Sequence, residues 1–220
     1  MKNIPDFNFN CSKDGTPFLS AKDIDSHATA FLQEYAKSHS EYSFLVPQPT
    51  PIDEIIESHC GLSMDFQDFA EKDVLGMTSF SSGFINIIRD NAIVPYKIEK
   101  GTIVISAELE ADEKLQGRLR YTMAHELGHN VYHRKKFEVP DYSNQPSLFD
   151  EEPKKIFAIT CHRDSIENLG GAHEKDWIEW QADYFASCLL MPKEAVAVFW
   201  KVFSKETDFV FWRRIDTFFS

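Results

Sequence analysis

The stretch YTMAHELGHNVYH, residues 121–133, places His125 and His129 four residues apart within a helical pattern that runs from about Leu115 to His133. On a helix this spacing puts both imidazoles on one face, one turn apart, so both reach a single ion. Zn²⁺ is tetrahedral and takes imidazole nitrogen at about 2.0–2.1 Å, which the spacing satisfies. Glu126 follows the first histidine, and its carboxylate is expected alongside the metal. From there it can take a proton from an attacking water and later hand it to a leaving amine. The bland alternative is a solvated helix face with two ordinary histidines, and the helical context is what weighs against it.

A peptidase zinc site needs a third protein ligand and keeps its fourth position for water. A second helix is expected over 174–190, with Glu179 and Asp183 four apart on one face. Acids on an exposed helix face are common, but this helix is otherwise apolar on most sides (Trp177, Ile178, Trp180, Tyr184, Phe185, Leu189), and acids on a largely buried helix need partners. Glu179 is assigned as the ligand, with Glu174 as the fallback. Asp183 is assigned to the outer ring nitrogen of a ligating histidine, whose tautomer it would fix. His133 continues the His125–His129 face but lies two turns from His125, too far to share the ion. A supporting or oxyanion role competes there with an ordinary helix-end histidine.

Working upstream, Ser20 and Asp23 form a capping box for a helix whose stripe is Ile24, Ala28, Phe31, Leu32 and Tyr35. VPQPTP (46–51) reads as a linker. Thr50 is expected to cap a helix over 51–60, with Pro51 first, Asp53 closing the box and Gly61 ending it. MTSF (77–80), FINII (84–88), AIVPY (92–96) and TIVIS (102–106) read as strands of a small antiparallel or mixed sheet, punctuated by Gly83, Asp90-Asn91 and Gly101. TIVIS is the expected edge strand for an extended substrate. Downstream, the acidic 138–155 reads as an exposed loop, IFAIT (156–160) as one strand, and FVFWRRIDTFF (209–219) as part of a last helix.

The 220 residues carry 43% apolar and 26% charged side chains, an ordinary globular balance. No apolar run approaches the roughly 20 residues that span a bilayer, and the N-terminus has no apolar signal core, so a cytoplasmic protein is expected. Four unpaired cysteines suit a reducing compartment. A net charge of −12 disfavours direct nucleic-acid binding, and Arg134, Lys135 and Lys136 are the nearest thing to a basic patch. Cys161-His162 raises two further ideas, a second metal site or a thiolate that blocks the zinc, against plain structural roles.

AHELGHNVYH (124–133) followed by EWQADYFASCLLMP (179–192) resembles the ImmA/IrrE family of bacterial zinc metallopeptidases, over roughly residues 50–192. The resemblance implies a zincin-like (gluzincin-type) α+β fold with a small sheet packed on the active-site helix. It implies His125, His129 and Glu179 as zinc ligands and Glu126 as the catalytic acid/base. It also implies a protein substrate, a helix-turn-helix repressor of a mobile element or stress response. This chain shows no helix-turn-helix of its own, so that repressor would be a separate protein. The expected organisation is an N-terminal arm and helix (1–49), a metallopeptidase domain (50–200) and a C-terminal helical tail (201–220). The rival reading is a non-catalytic zinc-fold module that sequesters a repressor. Intact Glu126 argues against it, because metal binding alone does not need that carboxylate.

Overall fold

The computed structural model describes residues 4–137, 158–162 and 174–206. The acidic 138–155 and the 209–219 stretch lie outside them, as does the side chain of Glu174. The fold is α+β: a four-stranded mixed sheet, a separate hairpin, and helices on one face of the sheet.

Helix α1 (Ala21–Ser38) starts as its sequence dictates. Asp23 N–H donates to Ser20 Oγ at 3.3 Å, and Ser20 N–H donates to Asp23 Oδ2 at 2.8 Å. All five stripe residues are buried, and Phe31 meets Phe185 edge-on with centroids 5.9 Å apart. Ser20→Ala should therefore lower unfolding stability by about 0.5–2 kcal/mol in urea denaturation, with zinc affinity unchanged.

Thr50 does not cap the next helix. Helix α2 (Ile52–Glu54) takes Pro51 as its N-cap and continues as a π-helix, Ile55–His59, closed by Gly61 at φ +64°. The Thr50 hydroxyl donates instead to the carbonyl of Leu189 at 2.9 Å. The last carbonyls of a helix lack intrahelical partners. Thr50 thus ties off the C-terminal end of the helix that carries Glu179, a demand that outcompetes local capping.

The sheet runs β1 (Ser63–Gln67), β5 (Thr102–Ser106), β2 (Val74–Ser79), β6 (Ala158–His162). β1 pairs with β5 in parallel; the other pairings are antiparallel. TIVIS is not an edge. β5 is hydrogen-bonded on both sides and every one of its residues is buried, which suits an unbroken Ile-Val-Ile run better than a half-exposed edge does. The edges among the described strands are β1 and β6. β3 (Gly83–Arg89) and β4 (Ala92–Ile98) form the hairpin, turning at Asp90 and Asn91, both at positive φ as a tight primed turn requires.

The sheet buries both faces. Met77 and Val104 pack with Ile98 on one side. Ile103 and Ile105 join the main core with Leu119, Met123 and Leu127 of α4 (Gln116–Tyr132). Short helices precede and follow α4, at Ala107–Ala111 (α3) and Arg134–Phe137 (α5). Helix α6 (Glu174–Leu190) lies against α4 and α1, and α7 (Lys193–Glu206) runs through position 200 without a break. Lys135 pairs with Asp6 at 2.7 Å and Lys136 pairs with Asp14, so two of the three clustered cations are tied to the N-terminal arm. No helix among the described residues is long and apolar enough to cross a membrane.

Candidate metal centre

From Thr122 to Tyr132 every residue of α4 is buried, so HELGH sits in the interior and not on a solvated face. The approach of α6 is permitted by Gly128. A Cβ there would lie 3.0 Å from Ala182 Cα and 3.2 Å from the Ala182 carbonyl oxygen. With no side chain in the way, the two helices close until Glu179 and Asp183 face the α4 histidines.

His125 Nε2 lies 3.0 Å from His129 Nε2 and 3.2 Å from Glu179 Oε2, and His129 Nε2 lies 3.7 Å from Glu179 Oε1. Two ligands held about 2.0–2.1 Å from a tetrahedral ion sit roughly 3.3–3.4 Å apart, so these spacings match a common ion. The outer ring nitrogens are occupied. His125 Nδ1–H donates to Asp183 Oδ1 at 2.8 Å. Gln181 Nε2 donates to the Pro17 carbonyl at 2.8 Å, which turns Gln181 Oε1 toward His133 Nε2–H at 2.9 Å. The other nitrogen of His133 then accepts from His129 Nδ1–H at 2.9 Å. Both Nε2 lone pairs are left pointing at one another beside a carboxylate whose Oε2 is buried with no hydrogen-bond partner. A metal ion fits that arrangement, since nitrogen-nitrogen-carboxylate is a zinc donor set.

His133 is therefore tied to His129 and Gln181, fully buried, and its imidazole is held well below the ordinary range by burial and by His129. Tyr121 OH donates to Asp183 Oδ1 at 3.0 Å. Neither side chain has a proton to offer a substrate.

Electrostatics agree with the geometry. Burial pushes the Glu179 carboxyl up, but the two imidazoles pull it far below the usual carboxylate range. Burial pulls His125 down, yet the neighbouring Asp183, Cys161 and Glu179 outweigh it and set it well above 6.5. A folded value above 6.5 stabilises chelator-stripped protein fully below that pH, and the contribution fades as pH rises through the folded value. A metal must displace this proton. Zinc titration near about pH 7 should release protons, read as a calorimetric heat that depends on buffer ionisation enthalpy, and affinity should fall on acidification. Buffer-independent heats would contradict this assignment.

Glu126 is fully buried against β2. Thr78 Oγ1 donates to its Oε2 at 2.7 Å, while Oε1 has no hydrogen-bond partner. Burial raises this carboxyl against the pull of both imidazoles. Gly76 on β2 makes the space: a Cβ there would lie 2.7 Å from Glu126 Oε1. No protein-family profile matches this chain, and no curated protein is significantly similar to it.

Sequence reading assigned no role to Thr78, Gln181, Gly76 or Gly128. The glycine inside HELGH was the one available signal, since glycine in a helix interior costs about 1 kcal/mol and calls for a packing reason. Among the described residues His162 belongs to no metal-binding group; it is part-exposed, with Nε2 3.9 Å from Glu71.

Proposed function

We propose that this chain is a zinc-dependent endopeptidase of restricted specificity with a zincin-like fold, akin to the ImmA/IrrE metallopeptidases. The observation that carries the reading is the convergence of His125 Nε2, His129 Nε2 and Glu179 beside a buried carboxylate with one uncommitted oxygen. His125, His129 and Glu179 would hold the ion, which when bound supplies Lewis-acid polarisation of a carbonyl and makes water more acidic. Thr78 holds Glu126 Oε2, so Glu126 Oε1 is the atom that takes the proton from the attacking water and passes it to the leaving amine. Asp183 and His133 keep the two ligating rings in the required tautomers. An extended substrate would add to the outer edge of β6, which has no strand beside it among the described residues.

The proposed substrate is a separately encoded helix-turn-helix repressor; the proposed setting is the cytoplasm. Incubation with the regulator encoded by the adjacent gene, with and without chelator, should yield two new fragments by intact mass only when metal is present. A stable complex with no fragment would favour sequestration without turnover.

A further inference from the structure

The N-terminal arm, residues 4–19, ends against the helix that carries Glu179. Its first half lies over α1 and the end of α4: the Phe7 ring stacks on His27 with centroids 4.1 Å apart, and Phe9 meets Tyr132 edge-on at 6.1 Å. Asp6 and Asp14 pair with Lys135 and Lys136 of α5. A tight turn follows, in which Ser12 N–H donates to the Thr16 carbonyl at 2.8 Å, and it delivers Pro17 to α6. There one backbone carbonyl takes two donors: Trp177 Nε1–H at 3.3 Å and Gln181 Nε2–H at 2.8 Å. Gln181 is completely buried, so each end of its amide needs a protein partner. Its oxygen accepts from His133 Nε2–H at 2.9 Å, and the other ring nitrogen of His133 accepts from His129 Nδ1–H at 2.9 Å. An unbroken chain of hydrogen bonds thus joins arm backbone to ligand ring. The Pro17 carbonyl can only accept, so it holds the donor end of the amide and leaves the acceptor end for His133. Reversing the amide would oppose two donors at His133.

We propose that the Pro17 carbonyl and the Gln181 amide are positioning groups for the metal ligand His129, so that seating of the N-terminal arm and metal binding stabilise one another. The inference rests on the metal-site reading above. Neither group touches the ion: the arm sets the amide, the amide sets the His133 ring, and that ring sets His129. Coupling between two sites is reciprocal. Whatever lifts the arm weakens metal binding by the same factor by which metal holds the arm down. Groups that support a ligand from outside are commonly worth about 10–100-fold in metal affinity.

Two measurements on the full chain test this from opposite ends. Lys13 is exposed and lies inside the Ser12–Thr16 turn, so trypsin cuts after it when the arm lifts and the turn opens. Saturating zinc should slow that cut about 5-fold or more in the wild type, read by intact mass as loss of the N-terminal fragment, and this comparison needs no variant. Gln181→Met cannot donate to Pro17. In it, zinc should give the arm no protection, and zinc affinity by chelator competition should fall about 10–100-fold. Phe7→Ala, which frees the arm from His27 without touching α6, should lower zinc affinity about 5-fold or more. Combined with Gln181→Met it should add nothing further, because the link is already cut. A trypsin rate indifferent to zinc, or unchanged zinc affinity in Phe7→Ala, would overturn the coupling and leave the three-ligand site standing. Losses that simply add in the double variant would mean the arm acts by another route and would overturn it as well. A wild-type chain that binds no zinc would overturn both readings.

Discussion

Glu126→Gln should reduce single-turnover cleavage by about 10²–10⁴-fold, the usual contribution of a positioned general base, while zinc content stays at the wild-type level. The substitution is nearly isosteric, so the burial of the side chain and the acceptor for Thr78 Oγ1 at 2.7 Å survive. What disappears is the ability of the Oε1 position to receive a proton. Neither ligating nitrogen is touched, because the histidine rings are oriented by Asp183 and His133 and not by Glu126. Cleavage at the wild-type rate by a folded, zinc-loaded Glu126→Gln protein would remove Glu126 from the mechanism.

Gly128→Val should lower zinc affinity by more than tenfold and cost about 1–3 kcal/mol of stability, the range for overpacking a filled interior. Its first added carbon already lies 3.0 Å from the backbone Cα of Ala182, and no side-chain rotation can relieve contact with backbone. Helix α6 must shift as a body, taking Glu179 and Asp183 with it. Because the imidazoles stay on α4 and the acids leave on α6, metal binding suffers even where the fold survives. Gly117→Ala on the same helix is the control: nothing lies within 4 Å of its Cβ, so zinc affinity should not change. Thermal melts and chelator-competition titrations on the two variants separate a helix-contact effect from loss of glycine as such.

The parts of this fold written in local patterns were readable before the structure. Ser20 and Asp23 announce the start of α1, the periodic stripe marks its buried face, and the 125/129 and 179/183 spacings put each pair on one helix face. Parts set by register and close approach were not. β1 alternates Met64 and Phe66, which pack on the core, with Ser63, Asp65 and Gln67, but so short an alternation does not name its parallel partner. TIVIS was expected at an edge, although three consecutive β-branched apolar residues already favour a strand buried on both faces. Thr50 looked like a cap because its neighbours spell one; the unpaired carbonyl it serves lies 139 residues away. The pairing of Cys161 with Gly76 depends on strand register, which a one-residue slip would invert.

Helices α4 and α6 bring together two imidazoles and one carboxylate, the donor set proposed for a single divalent ion. Zinc titration against a chromophoric chelator, on wild type and Glu179→Ala side by side, addresses it most directly. One zinc per wild-type chain is expected. The variant should lose more than the roughly 10–100-fold typical of removing a group that only supports a ligand. Equal affinities, or a wild-type chain that takes up no stoichiometric zinc, would contradict the account.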